Sequence, residues 1–85
     1  MIVDASAILA IARAEPESDR LIDLLKTHAG DVLISAPAYL ELFIVAEQRY
    51  GLSVAETIER TIQDYRMIVV PFDRELAEVA RVAYR

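Results

Sequence analysis

Three short β-type runs, Ile2-Val3, Asp31-Val32-Leu33-Ile34 and Met67-Ile68-Val69-Val70, punctuate an otherwise helix-patterned chain, and this alternation leaves few folds open. Strands that are apolar at nearly every position must be covered on both faces, and strands separated by helices run parallel. The expected architecture is therefore α/β: a parallel sheet flanked by helices in three layers. In such sheets ligands bind beyond the carboxyl ends of the strands, and Asp4 falls directly at the end of the first run.

Local signals place the helices. Ser6 is the expected N-cap of a helix from Ala7 to about Arg13. Pro16 suits the first turn of a second helix, whose apolar face is Leu21, Ile22, Leu24 and Leu25 and which stops near His28-Ala29-Gly30. Ser35 and Pro37 open a long apolar helix to Tyr50, closed by Gly51. Ser53-Val54-Ala55-Glu56 matches a capping box and predicts a helix to about Asp64. Pro71 stops the third run, and Asp73 is placed to cap a last helix through Leu76, Val79, Ala80 and Ala83. The helical pattern still runs at Arg85 without a glycine or proline stop, so the expectation is one domain, residues 1–85, whose C-terminal part lies outside this chain.

Eighty-five residues, 55% hydrophobic and 27% charged, suit one small globular core. A chain this short without cysteine relies on packing or on a partner. The lack of cysteine fits a reducing compartment, and the start Met1-Ile2-Val3-Asp4 lacks the basic region of a signal peptide, so the cytoplasm is the expected location. No apolar stretch is long enough to span a bilayer. A net charge of -5 argues against binding nucleic acid mainly through a basic surface, yet it is compatible with a site where a bound cation reverses the local sign.

Asp4 is the only charged residue between Met1 and Ala12, and Glu41 the only one between Ala36 and Ala46. An ionised carboxylate in apolar surroundings is costly unless it meets a cation or several donors, and one divalent metal would answer for both. Each has a blander reading: Asp4 accepting backbone hydrogen bonds in the turn after the strand, Glu41 pointing into solvent. Asp73 approaches the same end of the sheet, but an N-cap role accounts for it. His28 has no second histidine or cysteine to form a ligand set, and Ser6 has no base nearby in sequence. Tyr39, Phe43 and Tyr50 read as core or subunit-interface residues before base-stacking ones, and the eight arginines, Arg85 included, are spread along the chain without a cluster.

Ile2-Val3-Asp4-Ala5-Ser6-Ala7, Ala38-Tyr39-Leu40-Glu41 and the Val70-Pro71-Phe72-Asp73 junction, in this element order, resemble the PIN-domain family, especially its VapC-type toxin nucleases. The resemblance covers essentially the whole chain. It implies an Mg²⁺- or Mn²⁺-dependent endoribonuclease of a toxin-antitoxin pair, hydrolysing phosphodiester bonds in RNA and held inactive by a cognate antitoxin. By position Asp4 and Glu41 match the family's first two metal-binding acids, and Ser6 its supporting polar residue. The family's third acid would lie in the C-terminal segment, leaving this site incomplete. An exposed edge of the first strand then implies a homodimer or strand-exchanged oligomer.

A different class of function also fits: a noncatalytic interaction fragment that dimerises or binds an antitoxin. A phosphatase or receiver-like phosphoryl enzyme fits less well, because Asp4 lacks a second nearby acid of the Asp-x-Asp kind.

Overall fold

The computed structural model describes residues 1–83, with Ala83 by its backbone alone; the chain end at Arg85 lies outside the described residues. The described elements are α1 (Ala5–Ala12), α2 (Ser18–Thr27), β1 (Leu33–Ser35), α3 (Ala36–Val45), a π-turn (Ala46–Tyr50), α4 (Leu52–Asp64), β2 (Ile68–Val70) and α5 (Arg74–Ala83).

The α/β architecture expected from the alternation is present. β1 and β2 pair in parallel, with Leu33 opposite Ile68, Ile34 opposite Val69 and Ser35 opposite Val70. The first run differs from expectation: Ile2 makes a single parallel bridge to Leu33 and does not extend into a strand. The Val3 N–H donates to the Leu33 carbonyl at 2.9 Å, and the Leu33 N–H donates to that of Met1 at 2.7 Å. Asp4 caps α1 immediately afterwards, so no residues remain to lengthen the ladder. β1 thus lies in the middle, with the N-terminal segment on one side and β2 on the other.

Several helix starts shift for identifiable reasons. Asp4, not Ser6, is the N-cap of α1; its carboxylate accepts the Ser6 backbone N–H at 3.1 Å. Aspartate caps as well as serine, and here it occupies the extended position that a cap requires. Pro16 lies ahead of α2, which starts at Ser18 behind Glu17 without a side-chain cap. The Ser53 capping box does not form, because α4 begins two residues earlier than that cap implies, at Leu52, on Gly51 with φ 88°. Ser35 and Asp73 cap as expected, accepting the N–H groups of Ala38 at 3.2 Å and Leu76 at 2.9 Å. The long third helix is also interrupted. It changes to a π-turn at Ala46, where the Gly51 N–H reaches back five residues to the Ala46 carbonyl at 2.9 Å.

The core lies between α1, α3, α4 and the sheet. Ile8, Val32, Ile34, Ala46 and Ile58 are fully excluded from solvent, and Leu42 nearly so. Tyr39 and Phe43 pack against this cluster, ring centroids 4.9 Å apart. The expected cover on both sheet faces is uneven: Ile68 and Val69, whose side chains alternate across the sheet, both stay about half exposed. α5 faces the sheet across a cleft of about 470 Å³ lined by Met1, Ile2, Leu33, Val70, Leu76 and Val79, among others. Among the described residues no helix is long and apolar enough to cross a membrane.

Among the described residues, two helix ends carry a left-handed residue that is not glycine. After α1, Ala14 has φ 52°, with the Ala14 N–H bonded to Ile11 and the Glu15 N–H to Ala10, both at 3.0 Å. Arg66 repeats the arrangement after α4. This is the Schellman closure, in which glycine normally takes the left-handed position. Ala14→Gly is expected to stabilise the fold by about 0.5 kcal/mol, the relieved strain exceeding the added freedom of the unfolded chain. Thermal unfolding followed by circular dichroism should show a midpoint raised by roughly 2–4 °C.

Candidate metal centre

The carboxyl ends of the N-terminal segment and β1 each run straight into a helix. Asp4 follows Val3 and caps α1; Ser35 ends β1 and caps α3, which carries Glu41 in its second turn. This doubled arrangement brings residues 37 apart in sequence to one place. Asp4, Ala5, Ser6 and Leu9 from the first unit, with Glu41, Leu42 and Val45 from the second, line a single cleft of about 180 Å³.

The cleft combines an apolar wall, Leu9, Leu42 and Val45, with two carboxylates and one hydroxyl. Both carboxylates are solvent-exposed, contrary to the reading in which their apolar sequence neighbours bury them. No burial cost demands a cation here. What the geometry provides is two hydrated anionic groups facing one small volume. One Asp4 oxygen is engaged by the Ser6 backbone N–H, leaving the other for a ligand. Ser6 therefore steadies Asp4 through its backbone, and its hydroxyl is a separate lining group.

All three expected site residues, Asp4, Ser6 and Glu41, are thus brought together. Asp73 is not among them. It caps α5 and lines the larger cleft instead. His28 sits at the C-cap of α2, where its backbone N–H bonds to Leu24. Among the described residues no three histidine, cysteine, aspartate or glutamate side chains gather as a metal-binding group. The ion pairs among the described residues, Arg13–Glu15 at 2.7 Å and Arg81–Glu78 at 3.0 Å, involve neither Asp4 nor Glu41. Leu9, Leu42 and Val45 carry no chemical signal in the sequence, yet the helical spacing of 41 and 45 already puts Val45 beside Glu41.

A profile of the PIN domain matches residues 1–85. The chain is 35% identical over 85 residues to ribonuclease VapC42 of Mycobacterium tuberculosis, covering 100% of this chain and 64% of that protein. It is 34% identical over 84 residues to ribonuclease VapC28 of the same species, covering 99% of this chain and 62% of the relative. With ribonuclease VapC of Mycolicibacterium smegmatis the identity is 32% over 87 residues, covering 100% and 65%. The chain spans less than two thirds of the length of these relatives. With the profile matched from end to end and the α/β order in place, the chain belongs to the PIN domain family.

Proposed function

We propose that this domain serves a metal-dependent endoribonuclease, the toxin of a type II toxin-antitoxin pair, which hydrolyses phosphodiester bonds in RNA. The observation that carries the reading is the convergence of Asp4 and Glu41 on one cleft at the carboxyl ends of the strands. Similarity to proteins named VapC ribonucleases supports it.

The donor set fits Mg²⁺, with Mn²⁺ as its substitute. Magnesium takes oxygen ligands, keeps several waters and is held by one or two carboxylates plus substrate phosphate, which two exposed acids beside open volume can satisfy. When bound, the ion would supply positive charge to the scissile phosphate and lower the pKa of an attacking water. Asp4, fixed by the Ser6 N–H at the start of α1, would hold one side of it and Glu41 on α3 the other. Ser6 would orient Asp4 or a water. Leu9, Leu42 and Val45 would limit hydration on the remaining side.

The partners follow from the same reading: an RNA substrate and a cognate antitoxin protein, in the cytoplasm. A homodimer or strand-exchanged oligomer is part of it. Val3 and Met1 turn their backbone groups to Leu33, so Ile2 between them presents its own to the opposite edge, open to another strand. Size-exclusion chromatography with light scattering is expected to give a mass of two chains or more, and a stable monomer contradicts this part.

A second reading, a noncatalytic module that binds an antitoxin or another copy, is favoured by the absence of a three-ligand group among the described residues. Calorimetric titration with Mn²⁺ separates the two. The nuclease reading expects measurable affinity that disappears in Asp4→Asn/Glu41→Gln; an interaction module shows none that depends on these residues.

A further inference from the structure

Asp4 and Glu41 line one cleft, and nine residues further along each segment the Arg13 guanidinium lies over the Tyr50 ring, 4.2 Å from its centroid. The sequence offset is the same at both places, 41 − 4 = 37 and 50 − 13 = 37. α1 and the α3–π-turn segment therefore run side by side in the same direction and meet at both ends. At one end are the two acids. At the other, the C-cap of α1 is stacked on the last residue of the π-turn.

From this geometry we infer that Arg13 and Tyr50 are positioning residues for the acid pair. The inference rests on the metal-centre reading and deepens it. Asp4 and Glu41 are exposed and unconnected to each other by any hydrogen bond among the described residues, so their spacing is set by how the two segments lie together. Leu9 and Val45 line the cleft, and Ile8, Leu42 and Ala46 belong to one close-packed core that holds α1 beside α3, so the stack acts as an added restraint at the far end. The stack is directional. It is held further by Glu15, whose carboxylate accepts the Arg13 guanidinium at 2.7 Å.

The π-turn belongs to the same device. The extra residue in its closing ring shifts the rotational phase of everything after Ala46 relative to an α-helix, and that phase carries Tyr50 to the end of α1. Rotation of α3 about its axis would move Glu41 across the cleft and lift Tyr50 from Arg13 together.

The test is Mn²⁺ affinity by calorimetry in wild type, Tyr50→Leu, Tyr50→Phe, Arg13→Met and the double variant Arg13→Met/Tyr50→Leu, with folding checked by circular dichroism. Loss of the cation–ring contact should weaken Mn²⁺ binding about fivefold in Tyr50→Leu and in Arg13→Met. The double variant should be no weaker than either alone, and Tyr50→Phe, which keeps the ring, should stay within twofold of wild type. Amide resonances of Asp4, Ser6 and Glu41 should shift in the two weakened variants without metal, which gives a second readout. If wild type binds Mn²⁺ through Asp4 while Tyr50→Leu and Arg13→Met bind within twofold of it, the positioning role is wrong and the metal centre stands. If wild type shows no affinity that depends on Asp4, both fall. Arg13 is 39% exposed, so Arg13→Met decides the matter if Tyr50→Leu does not fold.

Discussion

In the complete protein, on the proposed nuclease reading, Asp4→Asn is expected to reduce metal-dependent RNA cleavage at least about 100-fold while leaving the domain folded. The two effects separate because Asp4 has two jobs. As N-cap of α1 it accepts the Ser6 N–H, and asparagine accepts the same bond through its side-chain carbonyl with similar strength. As the proposed ligand it would contribute negative charge, which asparagine lacks. The structural cost is limited to the lost attraction between a carboxylate and the positive end of a helix, about 0.3–1 kcal/mol. Asp4→Ala removes the cap as well and should cost about 1 kcal/mol more. Cleavage of a labelled single-stranded RNA, measured beside thermal unfolding, checks both halves. Cleavage at the wild-type rate in a folded Asp4→Asn protein removes Asp4 from the mechanism.

Ile34→Ala is among the largest stability effects the fold implies, with truncation of Ile8 or Ile58. Ile34 lies in β1 between the bridged N-terminal segment and β2 and is wholly excluded from solvent. Truncating such a side chain loses its transfer free energy and leaves a cavity, together about 2–5 kcal/mol. A domain of this size is stable by about 4–13 kcal/mol, so the substitution takes a large share of the total. The damage should also reach the site, because Ser35, the next residue, caps the helix that carries Glu41. Urea unfolding followed by far-ultraviolet circular dichroism should show a lower midpoint with an unchanged slope. A loss below about 1 kcal/mol would mean that β1 is not the centre of the core.

Much of this was legible because the signals are local. Gly51 ending the third helical segment, Asp73 capping α5 and the apolar runs of β1 and β2 each depend on a few neighbouring residues. The pairing of Asp4 with Glu41 was legible for another reason: each is the lone charge of an apolar stretch, and the motifs around them resemble one family. Where two local signals competed, sequence could not choose between them. Asp4 and Ser6 are both good caps two residues apart, and Gly51 and Ser53 are likewise. The exposure of Asp4 and Glu41 was one of two readings left open, because apolar neighbours along the chain do not report which way a carboxylate points. The π-turn and the Arg13–Tyr50 stack left no local trace, since the contact joins residues 37 apart.

Paramagnetic broadening by substoichiometric Mn²⁺ in the amide spectrum of the wild-type chain reads out where the ion binds. The account expects resonances of Ala5, Ser6, Glu41 and Leu42 to broaden first, because they surround the cleft that the two carboxylates share. Broadening centred on Asp73 and Glu75, or spread evenly over the acidic surface, would contradict it.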